Sequence, residues 1–213
     1  MVRKGRTTLA GIDEAGRGAL IGPLVVAAVA VPQDSLMVLR RMGVRDSKTL
    51  SPHKRTEIYH QLSMTGAKIL VRIIRPSEID RSTKAGGGRG INALEAEAME
   101  SLLSELPPST VYVDSPTRPQ RKLASLFSRS LARRHRIVCE NGADSKRTVV
   151  GAASIVAKVE RDLQIAELRE SYGDFGSGYP SDVKTMKFVR RHLKDLDGVL
   201  RKTWRTLGAM NNT

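Results

Sequence analysis

Thr8-Leu-Ala-Gly-Ile-Asp13-Glu14-Ala-Gly16-Arg17-Gly18-Ala-Leu-Ile-Gly22-Pro23-Leu24-Val-Val-Ala-Ala-Val-Ala-Val31 is the stretch on which the fold turns. Both of its ends are strand-like. Thr8 to Asp13 is a short apolar run that stops at a pair of acids. Leu24 to Val31 is a run of Val, Ala and Leu with no polar alternation, the pattern of a strand buried on both faces. Between them Gly16, Gly18, Gly22 and Pro23 break the chain into a tight connection. A strand covered on both faces needs helices above and below it, so the pattern calls for an α/β fold.

The same alternation continues downstream. Ser51 and Pro52 open a helix, with Ser at the cap and Pro at the first position, running to about Leu62. Lys68 to Ile74 reads as a third strand. A glycine-rich loop, Gly86 to Gly90, precedes Asn92-Ala-Leu-Glu95, which has the form of a capping box. Leu94, Ala98 and Leu102 then recur at helical spacing until Pro107-Pro108 stops them. Thr110 to Val113 is a short strand ending at Asp114. A helix from about Pro119 to Ala132 and a strand from Arg136 to Cys139 follow. Ala152, Ile155, Val159, Leu163 and Ala166 mark a long helix with one apolar face. The expectation is one domain over residues 1–213: a mixed sheet flanked by helices, with a basic C-terminal helical extension over about 180–210. No internal repeat stands out.

The chain of 213 residues is long enough to bury a core without disulfides or structural metal. Lys and Arg number 36 against 22 Asp and Glu, a net charge of +14, which favours polyanionic partners because each phosphate contact releases counterions. The cations are spread along the chain, as on a folded surface rather than a basic arm. One cysteine, Cys139, excludes an intrachain disulfide and fits a reducing, cytoplasmic setting. Its apolar neighbours make it a buried spacer and not a nucleophile. Asp13 and Glu14 interrupt the N-terminal apolar run, and the longest apolar stretch is strand-sized. Neither a signal peptide nor a membrane span is expected.

Four acids need a reason. Asp13 and Glu14 end one strand, Asp114 ends another, and Asp144 stands just before the long helix. Singly, each has a bland explanation: Asp144 suits a helix cap, Asp114 a turn before Ser115-Pro116, and Asp13 and Glu14 a solvated strand end. Together they form a candidate site, because ligands of open α/β sheets bind at strand ends. Clustered carboxylates repel, and two divalent cations would balance four of them. Hard oxygen ligands suit Mg²⁺ or Mn²⁺, and a pair of such ions, roughly 3.5–4 Å apart, is a device for phosphodiester cleavage. Adjacent strand residues point to opposite faces, so Asp13 and Glu14 share one ion only if the strand bends or if Glu14 uses its carbonyl.

The blocks Gly11-Ile-Asp-Glu-Ala-Gly-Arg-Gly18 with Ile21-Gly-Pro23, Asp46-Ser-Lys48-Thr-Leu50, Tyr112-Val-Asp114, Ala143-Asp-Ser-Lys146, Ala152-Ala-Ser-Ile-Val-Ala-Lys158-Val-Glu-Arg-Asp162 and Gly176-Ser-Gly-Tyr179-Pro-Ser-Asp182 occur in this order. They resemble the signature blocks of ribonuclease HII, in its archaeal form, from about residue 8 to about residue 205. The resemblance implies a ribonuclease H-like fold and hydrolysis of the RNA strand of RNA–DNA hybrids. It also implies cleavage 5′ of ribonucleotides embedded in duplex DNA, leaving 3′-hydroxyl and 5′-phosphate ends. By position it implies that Asp13, Glu14, Asp114 and Asp144 are the metal-binding catalytic set; the mechanism expected for them is two-metal hydrolysis with Asp13 between the ions. It further implies that Gly16-Arg17-Gly18 senses the ribose 2′-hydroxyl and that Tyr179 stacks near the RNA-to-DNA junction. Glycines at 16 and 18 independently suit close approach to a nucleic-acid backbone, and the 2′-hydroxyl is what separates RNA from DNA. Lys48 and Lys146 are candidate phosphate contacts; Lys158 suits a solvated helix face equally well, and Arg17 either a phosphate contact or a loop brace. Many archaeal relatives end in a clamp-binding peptide with paired aromatics. The end here, Leu207-Gly-Ala-Met-Asn-Asn-Thr213, has none, which argues against a sliding clamp as partner, and the charge argues for a monomer. Arg17 and the early start of the first strand favour type HII over the sister type HIII.

Two rival readings remain at this stage. A DNA-only metal nuclease of the same fold, such as a junction resolvase, needs no 2′-hydroxyl sensor. A non-catalytic nucleic-acid binder accounts for the charge but gives no reason for four acids at strand ends and a helix start.

Overall fold

The computed structural model describes residues 7–44, 49–116 and 119–210, the last three by backbone alone. Five strands, β1 (Thr8–Ala15), β2 (Leu24–Pro32), β3 (Lys68–Ile74), β4 (Thr110–Asp114) and β5 (Arg136–Glu140), form one sheet in the order β3-β2-β1-β4-β5. The sheet is mixed and flanked by helices. These are α1 (Leu36–Arg41), α2 (Pro52–Met64), α3 (Pro76–Ser82), α4 (Ile91–Glu105), α5 (Arg121–Ala124), α6 (Arg129–Arg134), α7 (Ala143–Lys146), α8 (Thr148–Tyr172), α9 (Val183–His192) and α10 (Arg205–Met210).

β2 is buried at every residue from Leu24 to Val31, as its unbroken apolar run requires. β1 pairs in parallel with β4, Ile12 opposite Val113, and β4 pairs in parallel with β5, Asp114 opposite Glu140. One residue beyond Ile12 and Val113 stand Asp13 and Asp114, so the register sets the two acids side by side on neighbouring strands. α2 starts as its sequence dictates: Pro52 lies in the first turn and Ser51 Oγ accepts from the Lys54 N–H at 3.2 Å.

Three readings need correction. β1 runs on past Asp13 to Ala15. The helix expected over 119–132 is two short ones, α5 and α6. Ser128 stops continuity by adopting an extended backbone, and its Oγ caps α6 by accepting from the Leu131 N–H at 3.3 Å. Asn92 does not cap α4, which begins at Ile91; Ala93 and Leu94 donate to the carbonyl of Gly90. Asn92 Oδ1 accepts instead from Arg17 Nη2 at 2.5 Å.

The chain divides into two compact units, one of Met1–Glu14, Val26–Arg72 and Glu95–Val159, the other of Ala15–Val25, Ile73–Leu94 and Glu160–Thr213. The first holds most of the sheet. The second has its own apolar cluster, in which Leu20, Ile21, Ile165, Phe175, Val189 and Leu196 are buried. Among the described residues no helix is long and apolar enough to cross a membrane.

Candidate active site

In the first unit, a carboxylate oxygen from each of Asp13, Asp114 and Asp144 lies within 4.8 Å of the others. Parallel pairing supplies the first two. The third comes from α7, whose start is tied to β4 because Asp114 Oδ1 accepts from the Ala143 N–H at 2.8 Å. Asp144 does not cap α7: that position is Gly142, in the left-handed region at φ 63°, where glycine carries no steric penalty. Asp144 Oδ1 accepts from the Ser145 N–H at 2.9 Å. Asp13 and Asp144 are buried and Asp114 is half-buried, so neither a cap nor a solvated strand end explains the trio.

The electrostatics follow from this crowding. Burial, assisted by the charge of Asp114, pushes the Asp13 carboxyl up to about 7 from its ordinary 3.8. The Ser154 hydroxyl, the Glu14 N–H and the Lys158 ammonium pull the other way without cancelling it. Asp13 therefore keeps its proton to higher pH than an ordinary carboxylate, and a cation can take that proton's place. A set of hard oxygen donors with surplus negative charge fits a divalent ion such as Mg²⁺ or Mn²⁺.

Helix α8 shapes the same point. A Cβ on Gly11 would lie 2.2 Å from the backbone carbon of Val149, so glycine here lets the helix backbone rest on β1. One side-chain repeat along the strand is Asp13; along the helix follow Ser154 and, one turn further on, Lys158. Ser154 hydrogen-bonds to Asp13, and Lys158 Nζ donates to Ser154 Oγ at 2.7 Å. Ser154 is not singled out by the sequence reading. That reading gave Lys158 a solvated face as readily as a phosphate contact; Lys158 is half-buried and faces the acids through Ser154.

Glu14 stands outside the close trio. β1 is extended through Ala15, so Glu14 follows the alternation that sends neighbouring side chains to opposite faces; its N–H donates to Asp13 Oδ1 at 2.8 Å. Lys146 is exposed, with Nζ donating to the Asn141 carbonyl at 2.8 Å. Beside it, Arg147 makes a two-pronged ion pair with Glu140, at 2.9 and 2.6 Å, and lies over the Tyr112 ring. Lys48 lies outside the described residues. Cys139 is half-buried rather than buried as its neighbours suggested, and that burial still pushes its thiol up to about 11, which does not suit a nucleophile.

The Gly16–Gly18 turn and Tyr179 belong to the second unit. Gly16 has φ +90° and is buried, Arg17 is half-buried and Gly18 is exposed. Tyr179 is half-buried with the Arg161 guanidinium 4.7 Å from its ring centre. Arg161 Nη2 donates to the Ser177 carbonyl at 3.4 Å.

Comparison with known proteins agrees with this arrangement. A family model described as Ribonuclease HII matches residues 10–207. A ribonuclease HII of Thermofilum pendens is 45% identical over 93% of this chain and 96% of its own length. The crystal structure of the ribonuclease H2 from Pyrococcus horikoshii OT3 superposes with a TM-score of 0.86 at 36% identity, covering 97% of this chain and 98% of that one. A ribonuclease HII of Archaeoglobus fulgidus, solved as a complex with PCNA, superposes with a TM-score of 0.81 at 38% identity, over 92% and 95% of the two chains. On the sheet order, the clustered acids and these likenesses together, the chain belongs to the ribonuclease HII family and is a metal-dependent endonuclease of the ribonuclease H type.

Proposed function

We propose that this endonuclease hydrolyses the RNA strand of RNA–DNA hybrids and cuts 5′ of ribonucleotides embedded in duplex DNA. In this reading Asp13, Asp114 and Asp144, with Glu14 through its backbone carbonyl, hold two divalent ions, Mg²⁺ or Mn²⁺, while Gly16, Arg17, Gly18, Lys48, Lys146 and Tyr179 contact the substrate. The observation that carries it is three carboxylates within 4.8 Å of one another in a chain of net charge +14. Basic surface is suited to gather the phosphates, and an acidic point within it is suited to cations.

Bound divalent ions supply activation of water and neutralisation of charge at the phosphate. The chain's own residues do the rest. Asp13, Asp114 and Asp144 are held in place before any ligand arrives, each by a named hydrogen bond: Asp13 by Ser154 and the Glu14 N–H, Asp114 by the Ala143 N–H, and Asp144 by the Ser145 N–H. Water adds to phosphorus, the P–O3′ bond breaks, and the leaving oxygen takes a proton to become the 3′-hydroxyl. The phosphate remains on the 5′ end of the ribonucleotide.

The test is cleavage of a DNA duplex with one embedded ribonucleotide against the same duplex without it, in Mg²⁺, Mn²⁺ and EDTA. Metal-dependent cleavage at the ribonucleotide alone is expected. Equal cleavage of the all-DNA duplex would reassign the substrate to DNA, and binding without cleavage in either metal would reduce the protein to a binder.

A further inference from the structure

Among the described residues, Arg201 heads the largest side chains with no exposure, at 0%. A guanidinium out of water is costly unless its N–H groups are received. Its Nη2 donates to the carbonyls of Gly16 at 2.7 Å and Gly22 at 3.0 Å, Nε donates to Gly22 at 3.1 Å, and Nη1 donates to the Arg17 carbonyl at 2.8 Å. Its main chain is anchored too, because the Arg201 N–H donates to the Leu20 carbonyl at 2.9 Å and Leu200 bridges to Ile21. Arg161 packs close against the same turn. A Cβ on Gly16 would lie 2.4 Å from Arg161 Nε, and the same guanidinium lies against the Tyr179 ring.

The carbonyls that Arg201 takes have a consequence for the donors behind them. In a planar trans peptide the C=O of one residue and the N–H of the next point in opposite directions. Drawing the Gly16 and Arg17 carbonyls toward the buried guanidinium therefore turns the N–H groups of Arg17 and Gly18 away from it. Gly18 is exposed, and a Cβ there would meet nothing within 4 Å.

We infer that Arg201 is a positioning residue that presets the Gly16–Gly18 turn, and through it the preference for ribose over deoxyribose. The inference rests on the reading of that turn as the 2′-hydroxyl sensor. It adds that discrimination is built from inside the fold, by a side chain that never meets the substrate. Lysine retains the charge but has no planar fork to hold three carbonyls, so Arg201→Lys loosens the turn.

The experiment is a cycle between residue and substrate. Wild type and Arg201→Lys are assayed on a DNA duplex with one ribonucleotide and on the same duplex with a 2′-fluoro sugar there. A site built to bond a hydroxyl rejects an analogue lacking it, so wild type is expected to lose at least about 100-fold in kcat/KM. Residues that act through one another are non-additive, so Arg201→Lys is expected to lose about tenfold less than that. An equal proportional loss in both proteins overturns the positioning role, because general damage lowers both rates alike. No loss in wild type overturns the 2′-hydroxyl reading instead. If Arg201→Lys does not fold, hydrogen exchange of the wild type decides. The Ala19 and Gly22 amides, bonded to the Gly16 and Val199 carbonyls, are expected to be protected about 1,000-fold or more without substrate. Unprotected amides there overturn a preset turn.

Discussion

Gly16 and Gly18 are two residues apart and are glycines for different reasons. Gly16 has φ +90°, and a side chain there would strike Arg161 and the Pro23 carbonyl, so the fold itself demands glycine. Nothing in the fold demands it at Gly18, where the space beside Cα is open; in the proposed function the demand at 18 comes from the substrate. Gly18→Ala is therefore expected to melt within about 2 °C of wild type, as benign surface changes do. Its kcat/KM on a ribonucleotide-containing duplex is expected to fall at least about tenfold, because a small displacement of substrate is expensive. Gly16→Ala is expected to lose about 2 kcal/mol or more of stability from strain and overpacking. A Gly18→Ala variant with full activity would remove that residue from the substrate surface. Asp114 separates structure from chemistry in a similar way. Asn retains an oxygen for the Ala143 N–H but discards the charge. Asp114→Asn is expected to fold normally and to lose about 1,000-fold in kcat with little change in KM, the signature of an interaction made in the transition state. Near-normal turnover would take Asp114 out of the mechanism.

At the scale of elements, the site depends on how α8 lies on β1. Gly11 admits the helix backbone at Val149, and that contact sets where Ser154 and Lys158 fall relative to Asp13. Gly11→Ala has no flexible atom to push aside, since the obstacle is main chain 2.2 Å away. It is expected to cost about 3 kcal/mol by denaturant melts, at the upper end for overpacking, and to weaken Mg²⁺ or Mn²⁺ binding in titration calorimetry. Unchanged metal affinity would show that α8 does not set the acids. Elements carried by local signals were legible in the sequence. Lys68–Ile74 announces itself by composition, and Ser51-Pro52 by capping chemistry. α3 carries an equally good start, with Pro76 in its first turn and Glu78 accepting from the Arg75 N–H, and was overlooked. Failures came where a distant residue outbid a local preference. Asn92 has the right spacing to cap α4 but serves Arg17, which lies 75 positions away. The two acids at strand ends were readable, but their meeting required the parallel register of β1 with β4, which no local pattern encodes. Ser154 and Arg201 were hidden for the same reason, and Lys158 was read only as a phosphate contact or a solvated face: each is ordinary in its own segment and acquires a role only from what it faces.

At the scale of the whole molecule, stability, proton binding and metal binding are one linked system. Asp13 ionises near 4 in the unfolded chain and near 7 in the metal-free folded one. Between those values the folded state holds more protons than the unfolded state, so stability falls as pH rises through that window. The penalty is absent below the lower value and complete above the upper one, at most about 4 kcal/mol for a shift of this size. A divalent ion is expected to reverse it by binding the ionised Asp13 carboxylate that the proton otherwise neutralises. In EDTA, wild type is expected to lose stability from pH 5 to pH 8 relative to Asp13→Asn, which has nothing to titrate at that position. Adding Mg²⁺ or Mn²⁺ is expected to raise Tm strongly at pH 8 and weakly at pH 5, where protons compete for the same oxygens. The comparison is internal, so the background of +14 charges, common to wild type at both pH values apart from groups that titrate between them, is controlled by the variant. Should Asp13→Asn keep the same slope in EDTA, the strained carboxyl lies elsewhere. Should the metal shift be equal at both pH values, proton and cation do not share a site, and the acids of β1, β4 and α7 are not the metal centre.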